Sequence, residues 1–189
     1  MKTKIPTYRE LGEIARLADG LLDGTLPAAE WTHAAHLAAT LYLIRELGAL
    51  HLEAELPGII RRYNESQGGK NTDTEGYHET ITQFYIKALK AFNSQLPPNV
   101  STVAACNLVV RSPLGDKRCP LRFYTAELLF SVESRRNETA PDLAPLSFDD
   151  LLPDHSLMNR EIDSLLASPV YAKLLSAQLR IRETQRRFC

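Results

Sequence analysis

Along most of this chain apolar residues recur at spacings of three and four, the pattern of helices buried by one face. The densest run is 28–47, AAEWTHAAHLAATLYLIREL. No Gly or Pro interrupts it, and Ala and Leu dominate, so helix propensity is high. Pro27 suits a first helical turn, and Gly48 suits the stop. Its apolar positions, from Trp31 through Leu37 and Leu41 to Leu47, cover more than one narrow stripe. That predicts a central helix buried nearly all round. Glu30, His33, His36, Arg45 and Glu46 argue against a membrane span, because ionisable groups are costly in lipid.

The same periodicity predicts the neighbours. Thr7 and Glu10 have the capping-box form, and Leu11, Ile14, Leu17, Ala18 and Leu21 follow as a first helix ending near Gly24. A third helix is expected over 51–66, kinked or broken at Pro57-Gly58. Gln67 to Asn71 reads as a loop. A fourth helix is expected from Thr72 or Thr74 to about Phe92, with His78, Thr82, Tyr85 and Leu89 on one stripe. Gln95–Asn99 is a loop, and Ser101 caps a short helix to about Val110, where β-branched residues leave a strand as the alternative. Arg111–Arg118 reads as a polar loop. A helix is expected over 121–136 with Tyr124, Leu128, Leu129 and Val132 inward. Residues 139–146 turn or extend around two prolines. Two further helices are expected at about 157–167 and 168–187. The fold class is all-α: a compact, mostly antiparallel multi-helix bundle with one broken helix, a domain over 1–147 and a helical C-terminal appendage over 148–189.

Composition adds exclusions. The 189 residues carry a net charge of −1, with 44% hydrophobic and 24% charged residues. That balance is ordinary for a globular protein and lacks the basic excess of a nucleic-acid binder. Cys106, Cys119 and Cys189 form no CxxC and no even framework, which fits a reducing compartment. No signal peptide or membrane-spanning run is read, so a cytoplasmic protein is expected.

The candidate chemistry sits on two helices. His33 and His36 share a stripe with Thr40 and Ile44, and two neutral imidazoles at that spacing can share a metal ion. His78 would complete a set of three histidines around zinc, iron or manganese, with bound water in the open position. Glu79, or Glu30, would be a further ligand, an acceptor for a ring N–H, or a general base. Tyr77, Thr82, Tyr85 and Tyr124 are candidates for a substrate pocket. The competing reading makes all of these a hydrogen-bonded core. His51 and His155 read as surface residues and Cys106 as packing. The cations around Cys119 are of the kind that lower a thiol pKa, but no base accompanies it. Convergence of Arg111, Arg118, Arg122 and Arg135 would make an anion site.

Three segments, Glu30–Leu37 (EWTHAAHL), Gly76–Thr82 (GYHETIT) and Pro141–Leu146 (PDLAPL), resemble a group of small uncharacterised bacterial helical proteins. That group carries E-[FW]-T-H-x-x-H-L, G-Y-H-E-T-I-T and P-D-L-x-P-L, and the resemblance spans about residues 10–147. It implies a bacterial origin and a shared site around His33, His36, His78 and Glu79, and it supplies no reaction. Two functions follow as expectations. One is a metal-dependent enzyme acting on a small molecule. The other is a metal-free helical ligand-binding or protein-interaction module, with a homodimer compatible with either.

Overall fold

The structure is a computed structural model describing residues 5–46 and 52–151. Among these residues the chain forms seven α-helices and no strand. They are α1 (Leu11–Leu22), α2 (His33–Glu46), α3 (Leu52–Ser66), α4 (Glu79–Gln95), α5 (Thr102–Arg111), α6 (Ala126–Leu129) and α7 (Val132–Arg136). All belong to the unit Met1–Leu152. That unit extends past the boundary expected at residue 147: the ring of Phe148 lies 5.6 Å from that of Phe84, and Leu151 is fully buried. The stop at Gly48, His51, His155, Cys189 and the two helices expected over 157–187 lie outside the described residues.

Helix α2 is the centre of the bundle, packing against α1, α4 and α5. Leu37, Ala38, Ala39 and Leu41 are each 0% exposed. Full burial of one such leucine contributes about 1.5–3 kcal/mol, and the alanines let neighbouring helices approach closely. Helix α5 seals one side of α2, capped by Ser101, whose hydroxyl accepts from the Ala104 N–H at 3.2 Å.

Several local expectations are corrected. First, the run from Ala28 is not one helix. Ala28–Glu30 is a 3₁₀ turn, Trp31 leaves helical geometry at φ −77 and ψ 58, and α2 starts at His33. Thr32 does the capping: its hydroxyl accepts from the Ala35 N–H at 3.3 Å. Second, the Thr7–Glu10 box does not form. Glu10 is itself the cap residue, and Glu13 reaches back to the Arg9 N–H at 2.7 Å.

Third, α3 runs unbroken through Pro57. Proline removes the N–H that would bond the carbonyl of Glu53, and the side-chain amide of Gln83 on α4 takes its place at 3.1 Å. Fourth, α4 begins at Glu79, with His78 as its cap. Gly76 blocks an earlier start. Its φ is +77, and a Cβ there would stand 2.1 Å from the Lys70 carbonyl oxygen.

The helix expected over 121–136 is a 3₁₀ turn followed by α6 and α7. Two hydroxyl caps divide it: Thr125 accepts from Leu128 N–H and Ser131 from Ser134 N–H. Asp142, in the Pro141–Leu146 segment, holds Thr125 by its N–H and its hydroxyl at 2.8 and 2.7 Å. Tyr124 and Leu129 face inward as expected, whereas Val132 is 43% exposed.

Candidate functional site

A cavity of about 260 Å³ opens between α2, α3 and α4. Helix α2 contributes His33, His36, Leu37 and Thr40; α3 contributes Leu56 and Ile60; α4 contributes Ile81, Thr82, Tyr85, Ile86 and Leu89. Trp31 and Lys117 complete the wall from loops. The helical spacing of His33 and His36 puts both rings on this wall, and the stripe of α4 delivers Thr82 and Tyr85 to the same space.

The two histidines differ. His33 donates from Nε2 to the Leu114 carbonyl at 2.9 Å, which leaves Nδ1 as its unprotonated nitrogen. Its ring meets Tyr85 edge-on at 5.0 Å. Burial lowers the His33 pKa against the opposing influences of that carbonyl and of Asp116. His36 has no such partner. Its Nε2 is buried and makes no hydrogen bond among the described residues. Burial, then the proximity of His33, pushes its pKa down to about 3. The indole of Trp31 lies over the His36 ring at 3.8 Å.

Tyr85 reaches only a weak contact with the Asp116 carbonyl at 3.4 Å, and its pKa is raised, chiefly by burial. Lys117 is exposed and is the one charged residue among those lining the cavity.

The other sequence candidates lie elsewhere. His78 is the cap of α4: Nδ1 accepts from the Ile81 N–H at 3.4 Å, and Nε2 donates to the Leu129 carbonyl at 2.8 Å. Both nitrogens are therefore engaged, and burial lowers its pKa. Glu79 accepts from the Tyr77 hydroxyl at 2.9 Å and from Gln83 at 2.8 Å. Arg61 is 3.5 Å from Glu79 and 4.1 Å above the Tyr77 ring. Tyr124 is 1% exposed and donates to the Thr139 carbonyl at 3.2 Å. Glu30 pairs with Arg16 at 2.5 Å. None of these lines the cavity.

The structure thus joins His33 and His36 with Thr82 and Tyr85, and leaves His78, Glu79, Tyr77 and Tyr124 apart from them. Among the described residues no group of three or more His, Cys, Asp or Glu side chains is placed to hold a metal ion. Three of the four arginines considered as an anion site are engaged separately: Arg111 with Thr7, Arg118 with Asp116, and Arg135 with the carbonyls of Gly76 and Tyr77. Cys119 is 3% exposed, and burial outweighs the nearby Arg122, pushing the thiol up to about 11.

Among the wall residues, Trp31 and Lys117 were not candidates for the site, and Thr40 was placed on the histidine stripe without a role. Trp31 lies within the apolar stretch and looks like packing there. Lys117 comes from a distant loop and gives no local signal. Among the described residues no helix is long and apolar enough to cross a membrane. Compared with known protein families, with curated proteins and with solved structures, the chain matches none.

Proposed function

We propose that the protein binds a small organic molecule in the cavity between α2, α3 and α4, with His36 as its polar anchor. One observation carries this reading: His36 lines an apolar cavity, and its buried Nε2 has no hydrogen-bond partner among the described residues. A buried polar atom left unpaired costs about 1–3 kcal/mol, and a ligand group that pairs with it recovers that cost on binding. Apolar walls with a few converging polar groups are the usual make-up of a small-molecule site. The free, buried thiols Cys106 and Cys119 support a cytoplasmic setting.

The test is a thermal-shift screen of small neutral and anionic compounds on the wild type and on His36→Leu. A compound that raises the wild-type midpoint and loses its effect in the variant supports the reading. The metal-dependent alternative is weighed in the same experiment, by elemental analysis of untagged protein. About one equivalent of zinc, iron or manganese, lost in His33→Ala, with no stabilising compound found, would replace the ligand pocket with a metal centre.

A further inference from the structure

The cavity has two features beyond its existence: what its polar atoms can recognise, and how His36 is covered. Both bear on the class of ligand, and the inference rests on the binding role proposed above.

The lining is apolar except for two imidazoles, two threonines, Tyr85 and Lys117. Lys117 is exposed, so its ammonium is hydrated and gives a buried carboxylate little help. A carboxylate taken into such walls would lose its hydration without full compensation. The imidazole of His36 is neutral. Its Nε2 is a donor in one tautomer and an acceptor in the other. A hydroxyl group serves both tautomers, whereas a carboxylate serves only one. The rings of Trp31, His33 and Tyr85 favour a flat ring packed edge-to-face or offset. A volume of about 260 Å³ lies just below the usual range for drug-sized ligands, so it fits one substituted ring.

His36 Nε2 is buried, and the Trp31 ring packs against the imidazole with ring centroids 3.8 Å apart. Trp31 also lines a second cavity of about 270 Å³, together with Tyr63, Asn64, Gly69 and Gly76. Its indole therefore stands between two spaces. The backbone at Trp31 lies between the 3₁₀ turn and α2, and on the side of the second cavity the indole meets Tyr63 edge-on at 5.3 Å.

We infer that the cavity takes an uncharged single-ring hydroxy compound, of the phenol class, whose hydroxyl bonds to His36 Nε2 when Trp31 turns toward the neighbouring cavity. No covalent step is involved.

Three probes of matched shape test this: p-cresol, toluene and p-toluate, titrated calorimetrically into the full chain. Trp31 is the only tryptophan in the chain, so its fluorescence reports its own movement. The expected result is p-cresol binding about three- to tenfold more tightly than toluene, the worth of one net hydrogen bond. Binding at least about tenfold tighter than p-toluate is expected from the desolvation of the carboxylate. Saturation with p-cresol should change the tryptophan emission. In His36→Leu the advantage of p-cresol over toluene should vanish; in His36→Gln, which keeps a donor and an acceptor, part of it should survive. That second variant covers the case in which His36→Leu fails to fold, as judged by circular dichroism. Tightest binding by p-toluate, or equal binding by toluene and p-cresol, would overturn the inference and leave the cavity a binding site of another class. Binding by none of the three would also overturn it, and the compound screen with its His36→Leu control would then decide the broader reading separately.

Discussion

Gln83 on α4 donates its side-chain amide to the backbone carbonyl of Glu53 on α3 at 3.1 Å, the carbonyl that Pro57 deprives of its helical donor. The same amide nitrogen lies 2.8 Å from the Glu79 carboxylate. One buried glutamine therefore allows a proline inside α3, fixes α3 against α4 and orients Glu79. This is also why the Glu79–Tyr77–Arg61 cluster reads as a structural clamp on one edge of the α3–α4 pair, away from the cavity.

Replacing Gln83 by Leu should cost about 1–3 kcal/mol, because the Glu53 carbonyl loses its partner. In a Pro57→Ala background the restored N–H can serve that carbonyl, so the cost of Gln83→Leu should shrink by about 1 kcal/mol. A double-mutant cycle by urea denaturation measures the coupling. Simple additivity of the two changes would show that Gln83 does not compensate for the proline.

Gly76→Ala should be among the most damaging single changes. The residue has φ +77, and an added Cβ would meet the Lys70 oxygen at 2.1 Å. Positive φ alone costs an alanine about 1–2 kcal/mol, and the backbone clash adds to it. Asn71, whose side chain accepts from the Tyr77 N–H at 3.1 Å, would be displaced with the loop. Chemical denaturation should show the loss, and hydrogen exchange should show it concentrated at the start of α4.

Asn107 on α5 clasps the segment ahead of α1. Its Oδ1 accepts from the Tyr8 N–H at 2.9 Å and its Nδ2 donates to the Tyr8 carbonyl at 2.8 Å. Asn107 is 3% exposed, so neither bond is easily replaced by water. Asn107→Ala should destabilise the protein by about 2 kcal/mol and should speed proteolysis ahead of Leu11. Unchanged protease susceptibility there would show that the segment is held by other contacts.

Much of the fold was legible because burial and periodicity agree. Helix α5 begins where Ser101 places it, the apolar run from Leu11 forms α1 although its cap falls at Glu10 and not at Thr7, and the centrality of α2 follows from a stretch with too many apolar positions for one face. The errors share a cause. Thr32, Thr125 and Ser131 cap helices inside runs of good helix formers, and propensity summed over a window does not see a single hydroxyl turning toward a backbone N–H. Half of the candidate site was legible for a related reason. His33 and His36 stay together because they ride one helix, and Thr82 and Tyr85 because they ride another. His78 was placed on the same stripe as Thr82, but Gly76 delays the helix and turns His78 into a cap bonded to Leu129. That partner is 51 residues away, and spacing along the chain carries no trace of it.

The histidines make stability depend on acid in a predictable direction. His36, His33 and His78 all have folded-state pKa values below the ordinary 6.5, burial being the largest cause for each. Above pH 6.5 these groups are neutral in both states and contribute no pH dependence. Below it the unfolded chain takes up protons that the folded chain refuses, so stability falls as pH drops. For His36, whose folded value is about 3, the window runs from about pH 6.5 down to about pH 3, with a limiting slope of about 1.4 kcal/mol per pH unit. The midpoint of urea unfolding should therefore decline between pH 7 and pH 4.5, before most carboxylates begin to titrate. His36→Leu should flatten that decline by up to one proton's worth, and a bound phenol-class ligand should raise the midpoint across this range without changing the slope, because His36 is already neutral in the folded state. A decline of the same slope in His36→Leu would assign the acid sensitivity to His33 and His78, both of which already hold a backbone carbonyl, and would show that the unpaired nitrogen of His36 titrates far more freely than its burial implies.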